Sequence, residues 1–287
     1  MEILNALVQG VLLGGLYALF AAGLSLIFGV MRLVNIAHGD LIVLSAYMAL
    51  VVVQATGLNP FVAALIVVPL MALIGYALQR ILLNPTLDKD LLSPLLVTFG
   101  LSIIIQNLLL GQFSADSRKL SAGAIETASI GIGGGLSVGL LPLAMFAAAV
   151  AVIVGLEFMF TRTRIGRAFR ATSDDAEIAQ LMGIDRRHVY AAAMALSAAI
   201  IALAGVFLAV RTNFDPSTGP LRLLFGFEAV IIGGLGSLWG TLAGGIVLGV
   251  AQTLGAQINP GFQILAGHIV FFLILVVRPR GLFPRMD

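Results

Sequence analysis

The sequence predicts an all-α membrane protein, a polytopic helix bundle with eight or nine spans and some broken helices. Of its 287 residues, 60% are hydrophobic and only 10% are charged, whereas a soluble domain carries about 25% charged residues. Six uncharged runs reach the ~20 residues that a span needs; they cover Ile3–Met31, Leu41–Gln79, Leu91–Ala115, Thr127–Leu156, Val189–Val210 and Ala229–Val277. Backbone amides in lipid must bond internally, so these runs are predicted to be helices.

Composition also argues against several classes of protein. The chain has no cysteine, so neither disulfides nor thiolate chemistry is possible. The net charge is only +2 and the basic residues sit at span ends, so no nucleic-acid partner is expected. Ile3–Met31 is too long for a signal-peptide core and follows an acid, Glu2, so it is expected to remain as a span.

The first half of the chain contains one clear interruption. Gly29–Asp40 holds four polar side chains in an otherwise apolar region. Asn84-Pro85 is expected to end the third helix, because a proline disfavours helical backbone in the residue before it. The predicted helices of this half are Ile3–Phe28, Leu41–Gln54, Phe61–Leu83 and Leu91–Gly111.

The second half begins with a Ser- and Gly-rich loop, Gln112–Gly139, which is too polar to span and is expected to form a lid or a short hairpin. Two short apolar pieces joined by Gly236-Ser237 come late in the chain. The predicted helices are Leu140–Phe160, Val189–Val210, Leu223–Leu235, Trp239–Gly255 and Phe262–Val277. The number of spans is eight or nine, depending on whether Leu223–Leu235 crosses the membrane or re-enters.

The basic residues predict the orientation, because cytoplasmic loops carry an excess of lysine and arginine. If the spans alternate and the segment 162–188 is cytoplasmic, twelve basic residues lie on that side and four on the other. This assignment puts the C-terminus in the cytoplasm and the N-terminus outside.

Two broken apolar segments, Leu26–Leu50 and Phe227–Leu254, resemble each other in design, as an inverted repeat would produce. Paired interruptions indicate a transport site, because unwound backbone is tolerated in a membrane only where it lines a cavity. The candidate residues of the translocation path are Asn35, His38, Gly39, Asp40, Glu228, Gly233 and Gly236.

Each of these candidates also has a structural interpretation. Asn35 and His38 can cap the helices on either side of the break, and Glu228 can lie near the membrane interface. Glu157 is expected to pair with Arg162 or Arg164, and His268 is expected in the core. The three histidines are far apart in sequence and there is no cysteine, so no metal site is expected.

The segment 162–188 is the longest strongly charged stretch, with six of the sixteen basic residues. Its middle predicts an amphipathic helix of about nine residues, capped by Thr172 or Ser173. Ile178, Leu181 and Met182 form one apolar stripe at helical spacing. Gly183 is expected to end the helix in a left-handed conformation.

Three motifs are similar to those of a known family. Glu177–Gly183 reads E-x-A-x-x-x-G and resembles the EAA loop of ABC-importer permeases. Asn35–Asp40 resembles the V-N-x-A-H-G-[DE] signature of branched-chain amino-acid ABC permeases of the LivH type, and L-x-F-G precedes it at Leu26–Gly29. The run G-G-L-G-S-x-x-G at Gly233–Gly240 is also similar. The motifs stand in the family's order, so the resemblance covers nearly the whole chain.

The resemblance implies a permease subunit of a bacterial ABC importer, with one transmembrane domain over residues 1–287 of the cytoplasmic (inner) membrane and a cytoplasmic coupling loop at 162–188. The implied partners are a second homologous permease, two ATP-binding cassette subunits and a periplasmic or extracytoplasmic substrate-binding protein. ATP and Mg would bind to those partners, since this chain has no G-x-x-x-x-G-K-[ST] motif, and the chain is not expected to be an enzyme. The residues implied in ATPase coupling are Glu177, Ala179, Leu181, Met182 and Gly183.

The resemblance leaves the substrate open. Permeases of this type carry branched-chain or related hydrophobic amino acids, urea or short amides. The alternative class is a secondary transporter that works without ATP, which the interruptions with Asp40 and Glu228 would support. A docking helix at Glu177–Gly183 has no purpose in a stand-alone carrier, so that segment discriminates between the two classes.

Overall fold

The computed structural model describes residues 2–87, 92–133 and 136–283. Within these ranges eight helices are long and apolar enough to span a membrane, which confirms the predicted all-α polytopic fold. The α-helices are α1 Glu2–Met31, α2 His38–Thr56, α3 Pro60–Leu78, α4 Leu92–Phe113, α5 Leu140–Arg162, α6 Arg164–Asp174, α7 Ala176–Leu181, α8 Arg186–Arg211, α9 Gly219–Gly233, α10 Leu238–Ile258 and α11 Gln263–Val277. A π-helical turn, Gln79–Leu83, extends α3, and 3₁₀ turns cover Gly123–Glu126 and Pro260–Phe262.

Local chemistry sets several of the helix ends. Asn59 Oδ1 accepts the Phe61 N–H at 3.0 Å, and Pro60 occupies the first turn of α3, where its missing N–H costs nothing. Gly57 ends α2 with a φ of 68°, a left-handed conformation that favours glycine. Ser237 Oγ caps α10 by accepting the Gly240 N–H at 3.1 Å.

The helices α1 and α8 form the centre of the bundle. The most apolar windows of these two helices are 89% and 78% buried, against 6% for α11. They run antiparallel: Val30 shares a buried cluster with Val189, and the Ser197 hydroxyl donates to the Gly23 carbonyl at 2.9 Å. The most apolar windows of α3, α4, α5 and α11 are at most 28% buried, so most of the apolar side chains of these outer helices face outward, as lipid or a partner protein requires.

The packing of the helices indicates that α1–α4 and α8–α11 are two related halves of the bundle. Helix α1 lies along α10, where a Cβ at Gly10 or Gly14 would collide with the backbone of Val250 or Ile246. Helix α8 lies along α3, where Phe61 and Phe207 have ring centroids 5.4 Å apart. Each central helix thus packs against the third helix of the other half. An inverted repeat of four helices produces this exchange of partners.

The helix α2 starts inside the bundle and not at its surface. His38 Nε2 lies 2.8 Å from the Phe20 carbonyl oxygen. Phe20 lies about 16 Å before the end of α1, at the ~1.5 Å rise per residue of a helix. The prediction that α2 begins at Leu41 is therefore wrong by one turn: only residues 32–37 are non-helical, and His38, Gly39 and Asp40 form the first turn of α2.

The helix α9 also starts inside the bundle. Gly219 at its N-terminus touches Gly39, so close that a Cβ on either glycine would collide with the other segment. The break that matches 32–37 is therefore 212–218, and the interpretation that paired Leu26–Leu50 with Phe227–Leu254 is wrong. At 15 residues, α9 is about 22 Å long, shorter than the hydrocarbon core of ~30 Å, so α9 and the non-helical segment 212–218 together make one crossing.

The two ends of the bundle hold different parts of the chain. At one end the Ser173 hydroxyl donates to the Gly29 carbonyl at 2.6 Å, and Leu282 N–H donates to the Ile232 carbonyl at 2.8 Å. At the other end Thr253 Oγ1 donates to the Ala6 carbonyl at 3.0 Å. The segment 162–188 and residues 278–283 therefore lie at one end, and the start of α1 lies at the opposite end.

The polar loop between α4 and α5 carries the expected hairpin. Strands β1 Ser129–Gly133 and β2 Leu136–Gly139 pair antiparallel, with Ser129 opposite Gly139. Before them, Glu126 accepts the Ala122 N–H at 2.6 Å and pairs with Lys119 at 3.1 Å. This backbone hydrogen bond and the nearby ammonium lower the pKa of the Glu126 carboxyl, so the loop is tied by a carboxylate at neutral pH.

Candidate functional site

The two breaks meet in the middle of the bundle. A Cβ at Gly39 would collide with the carbonyl oxygen of Gly219, and a Cβ at Gly219 would collide with the carboxylate of Asp40. Glycine at both positions therefore lets the N-termini of α2 and α9 touch. A carboxylate and polar backbone groups therefore lie together inside the bundle, although the surrounding helices consist almost entirely of apolar residues.

Asn35 and His38 are fully buried beside this contact. Asn35 Oδ1 accepts the Ala37 N–H at 3.0 Å, so Asn35 does tie down the start of α2. Its amide nitrogen and His38 Nδ1 have no hydrogen-bond partner among the described residues. Buried polar atoms without partners are rare, so these two groups are available to a ligand or to water.

Asp40 is 1% exposed and accepts a hydrogen bond from Gln106 Nε2 of α4 at 3.0 Å. Gln106 also lines a cavity of about 380 Å³ together with Asp215 and Ser217 of the second break. A single polar side chain therefore separates the Asp40 carboxylate from a polar cavity.

Glu228 is buried on α9, at 1% exposure. Its Oε1 lies 2.5 Å from His268 Nδ1 of α11, while Oε2 has no partner among the described residues. His268 is half-buried and lines an outward-facing cavity with Phe272 and Leu224. The expectation that His268 is a core residue is wrong, because His268 is half-buried and forms a carboxylate–imidazole pair with Glu228. No sequence signal joins two residues that are 40 positions apart, on separate helices.

The two carboxylates are arranged alike. Asp40 lies on α2 and is hydrogen-bonded by α4, whereas Glu228 lies on α9 and is paired with α11. Since α2 corresponds to α9 and α4 to α11 in the repeat, each half supplies one buried acid and one polar partner on an outer helix. Ionisable groups within spans are costly and are retained for function.

Gly233 and Gly236 lie at the end of the bundle that holds the segment 162–188. A Cβ at Gly233 would collide with the Gly240 carbonyl, so this glycine permits close packing of α9 on α10. Gly236 has a φ of 78° in the turn between these helices and touches Gly29. The structure thus gives both glycines a backbone role, and their part in a translocation path stays a prediction.

The charged segment forms two helices, α6 and α7, and not one. Asp175 is the N-cap of α7: its Oδ1 accepts the Glu177 and Ile178 N–H groups, both at 2.9 Å. The prediction that Thr172 or Ser173 caps this helix is wrong, because both residues are inside α6 and Ser173 bonds Gly29 instead. The short α7 has six residues, fewer than the predicted nine.

The face of α7 that points away from the bundle is apolar. Ile178, Leu181 and Met182 are 59%, 87% and 79% exposed, whereas Ala179 is buried. Gly183 follows with a φ of 87°, which confirms the predicted left-handed end. An apolar tip surrounded by charged residues fits a site of protein contact.

Comparison with known proteins identifies the class. The family model described as "Branched-chain amino acid transport system / permease component" matches residues 6–278. The high-affinity branched-chain amino acid transport system permease protein BraD of Pseudomonas aeruginosa is 28% identical, over 99% of this chain and 96% of BraD. LivH of Escherichia coli is 26% identical over the same shares of each chain. LivM of that bacterium is 25% identical over 94% of this chain and 68% of LivM.

A solved structure shares the fold. PsaBC from Streptococcus pneumoniae, in complex with Fab, matches with a TM-score of 0.51 and 14% identity, over 95% of this chain and 91% of that one. The eight apolar helices of the described residues define a multi-pass membrane protein. The chain belongs to the family of permease components of branched-chain amino acid transport systems.

Proposed function

We propose that this chain is a permease subunit of a bacterial ABC importer and forms part of the translocation path for branched-chain or related hydrophobic amino acids. Separate ATPase subunits bind ATP and Mg and drive the transport. The observation that carries the proposal is the family match over residues 6–278, supported by the exposed apolar tip of α7. The orientation follows the excess of basic residues, with the segment 162–188 and the C-terminus in the cytoplasm.

The path runs past the contact between α2 and α9. A zwitterionic amino acid needs an acceptor for its ammonium group and donors for its carboxylate. Asp40 supplies the first behind Gln106, and the unpartnered Asn35 amide nitrogen supplies a donor nearby. His38 Nε2 donates to the Phe20 carbonyl, so His38 presents Nδ1 as a further acceptor. Glu228 with His268 forms a second station on the other half of the repeat. A substrate that displaces Gln106 can reach the Asp40 carboxylate, and one that displaces His268 can reach the Glu228 carboxylate.

The segment α6–α7 couples the ATPase to this path. Leu181 and Met182 dock on the ATPase subunit, with Ala179 packing α7 onto the bundle and Gly183 allowing the chain to leave the docking face. Glu177 stands at the positive end of the α7 dipole. The Ser173–Gly29 hydrogen bond transmits displacement of α6 to the end of α1, which touches Gly236.

A second homologous permease completes the pore. The outer helices α4 and α11 expose large apolar side chains, among them Leu108, Ile104, Phe272 and Leu273, next to the polar pairs at Gln106 and His268. LivH and LivM of one bacterium are both similar to this chain, which supports a pair of related permeases. The extracytoplasmic substrate-binding protein docks at the opposite end of the bundle from α7.

The test is purification of the tagged chain from its native membrane in mild detergent, with identification of the accompanying subunits and an ATPase assay. A charge on the docking face should expel the ATPase, so Leu181→Glu is compared with wild type. Ile165→Glu is the matched control, because Ile165 is an exposed apolar residue of α6 outside α7. Co-purified ATPase subunits that Leu181→Glu alone removes support the proposal. A chain that purifies without any ATPase contradicts it.

A further inference from the structure

A small pocket lies at the end of the bundle that carries the segment 162–188. It is formed by the ends of α1 and α5, by α6 and by the turn between α9 and α10, and it encloses about 250 Å³. This is below the range of roughly 300–1,000 Å³ of pockets for drug-sized ligands. The pocket therefore suits a small molecule, and it is separate from the contact between α2 and α9.

Two side chains of opposite charge line this pocket. Glu157 belongs to α5 and Arg170 to α6. Among the described residues, no ion pair within 4 Å joins Glu157 to Arg170. Glu157 also does not make the expected ion pair with Arg162 or Arg164 in the described part of the chain. A half-buried acid and base that leave each other unpaired offer one site for a cation and one for an anion.

A second observation points to a ligand independently of these charges. Ser25 of α1 lines the pocket and is only 1% exposed. Its hydroxyl has no hydrogen-bond partner among the described residues. Leaving a buried hydroxyl unpaired is unfavourable, so a polar occupant that reaches Ser25 at the inner end of the pocket is stabilised there.

The rest of the wall is apolar. Leu26, Phe160, Leu238 and Trp239 line the pocket beside the charged groups. A ligand that satisfies all of these groups has an ammonium, a carboxylate and a hydrocarbon part within one small volume. A free amino acid with an apolar side chain meets this description.

We propose that this pocket binds a zwitterionic amino acid with an apolar side chain from the cytoplasmic side, as a feedback site distinct from the translocation path. Arg170 holds the carboxylate through the paired donors of its guanidinium, Glu157 accepts the ammonium, and Ser25 bonds the inner polar end. The choice of amino acid and the cytoplasmic side rest on the proposed function, whereas the arrangement of charges rests on the geometry.

Because the pocket lies against α6, a bound ligand affects the movement of α6 and α7. Arg170 belongs to α6, which leads directly into α7 and bonds Gly29 through Ser173. A bound amino acid ties α6 to α5 and to the turn at Gly236. It thereby restrains the segment that moves with the ATPase, so cytoplasmic amino acid slows ATP hydrolysis when the product has accumulated.

The first experiment measures equilibrium binding of radiolabelled leucine to the tagged chain with its accompanying subunits, in phosphatidylglycerol nanodiscs and without any substrate-binding protein. Wild type should bind leucine saturably. Arg170→Gln and Glu157→Gln should each weaken binding by about tenfold or more, as loss of a charge-assisted hydrogen bond implies. Arg167→Gln is the control, because Arg167 is an exposed arginine of the same helix, and it should leave binding unchanged.

Two analogues separate a direct contact from a folding defect. Leucinamide has no carboxylate, so its binding should not respond to Arg170→Gln. Isocaproate has no ammonium, so its binding should not respond to Glu157→Gln. Variants that weaken both analogues alike, or a wild-type protein that does not bind leucine, overturn the proposal.

The same nanodiscs distinguish the remaining source of a zwitterion, a lipid headgroup. If phosphatidylethanolamine abolishes leucine binding at the pocket, the natural occupant is lipid and the feedback proposal is wrong. Uptake with the substrate-binding protein is measured in parallel. Normal uptake without leucine binding refutes the pocket alone, whereas absent uptake refutes the proposed function.

Discussion

Gly39 and Gly219 decide how closely the two half-helices approach each other. Their backbones touch where any side chain would collide with the opposite segment. The carboxylate of Asp40 lies within the same contact, so the geometry around it depends on two residues that carry no side chain. The packing of these two glycines therefore also determines the surroundings of the Asp40 carboxylate.

Replacing Gly39 by alanine should therefore destabilise the protein. Overpacking of a close contact costs about 1–3 kcal/mol, so Gly39→Ala should lower the Tm of the purified protein by several degrees. Gly155→Ala is the control: Gly155 lies in α5 with nothing within 4 Å of an added Cβ, and alanine favours helix by up to ~1 kcal/mol. Equal Tm values for wild type and Gly39→Ala would contradict the close contact.

The individual polar residues were only partly predictable. Asn35, His38 and Asp40 were found because they interrupt an apolar run, and such an interruption is visible in sequence. The partners of the acids were not found: Gln106 and His268 each lie on another helix, within an apolar pattern. Pairing between helices depends on packing, which periodicity does not encode.

At the scale of elements, local signals in the segment 162–188 predict that a helix is present but not where it begins and ends. Aspartate, threonine and serine near residue 173 all favour an N-cap, and the backbone selects Asp175. Burial decides between them, because Ser173 is drawn to Gly29 and Thr172 is buried within α6. The first residues of α2 and α9 could not be predicted for a similar reason, since tertiary contact makes each helix begin about one turn earlier.

Removal of the Asp175 cap should loosen α7. Asp175→Ala leaves two backbone N–H groups without their acceptor, and the loss of an N-cap costs about 1 kcal/mol. Hydrogen exchange of residues 176–182 should then become about fivefold faster, the factor that this free energy implies. Asp174→Ala, which alters the neighbouring carboxylate, should leave exchange unchanged. The same acceleration in both variants would argue against the assigned cap.

At the scale of the whole molecule, the class of the fold, the order of its helices and an inverted repeat could be predicted, but not the segments that the repeat pairs. Composition and uncharged runs are sufficient for a helix bundle, because a span of ~20 apolar residues has few other solutions. The match between 32–37 and 212–218 could not be read from sequence, since both breaks lack a shared motif. The contact of Gly39 with Gly219 reveals it.

The opposite location of the two ends makes a topological prediction. The chain has no cysteine, so single cysteines can be introduced without background. In intact spheroplasts, a membrane-impermeant maleimide should label Leu58→Cys, between α2 and α3, and should not label Leu181→Cys. After permeabilisation both should react. Labelling of Leu181→Cys in intact spheroplasts would reverse the proposed orientation.

We propose that this permease subunit moves its substrate only when a separate ATPase acts on α7. The most direct measurement is uptake of radiolabelled leucine into proteoliposomes that contain the purified complex and its substrate-binding protein, with and without ATP on the α7 side. We expect uptake that requires ATP and that Leu181→Glu abolishes. Uptake without ATP, driven by a proton gradient and unaffected by Leu181→Glu, would contradict it and identify a secondary transporter.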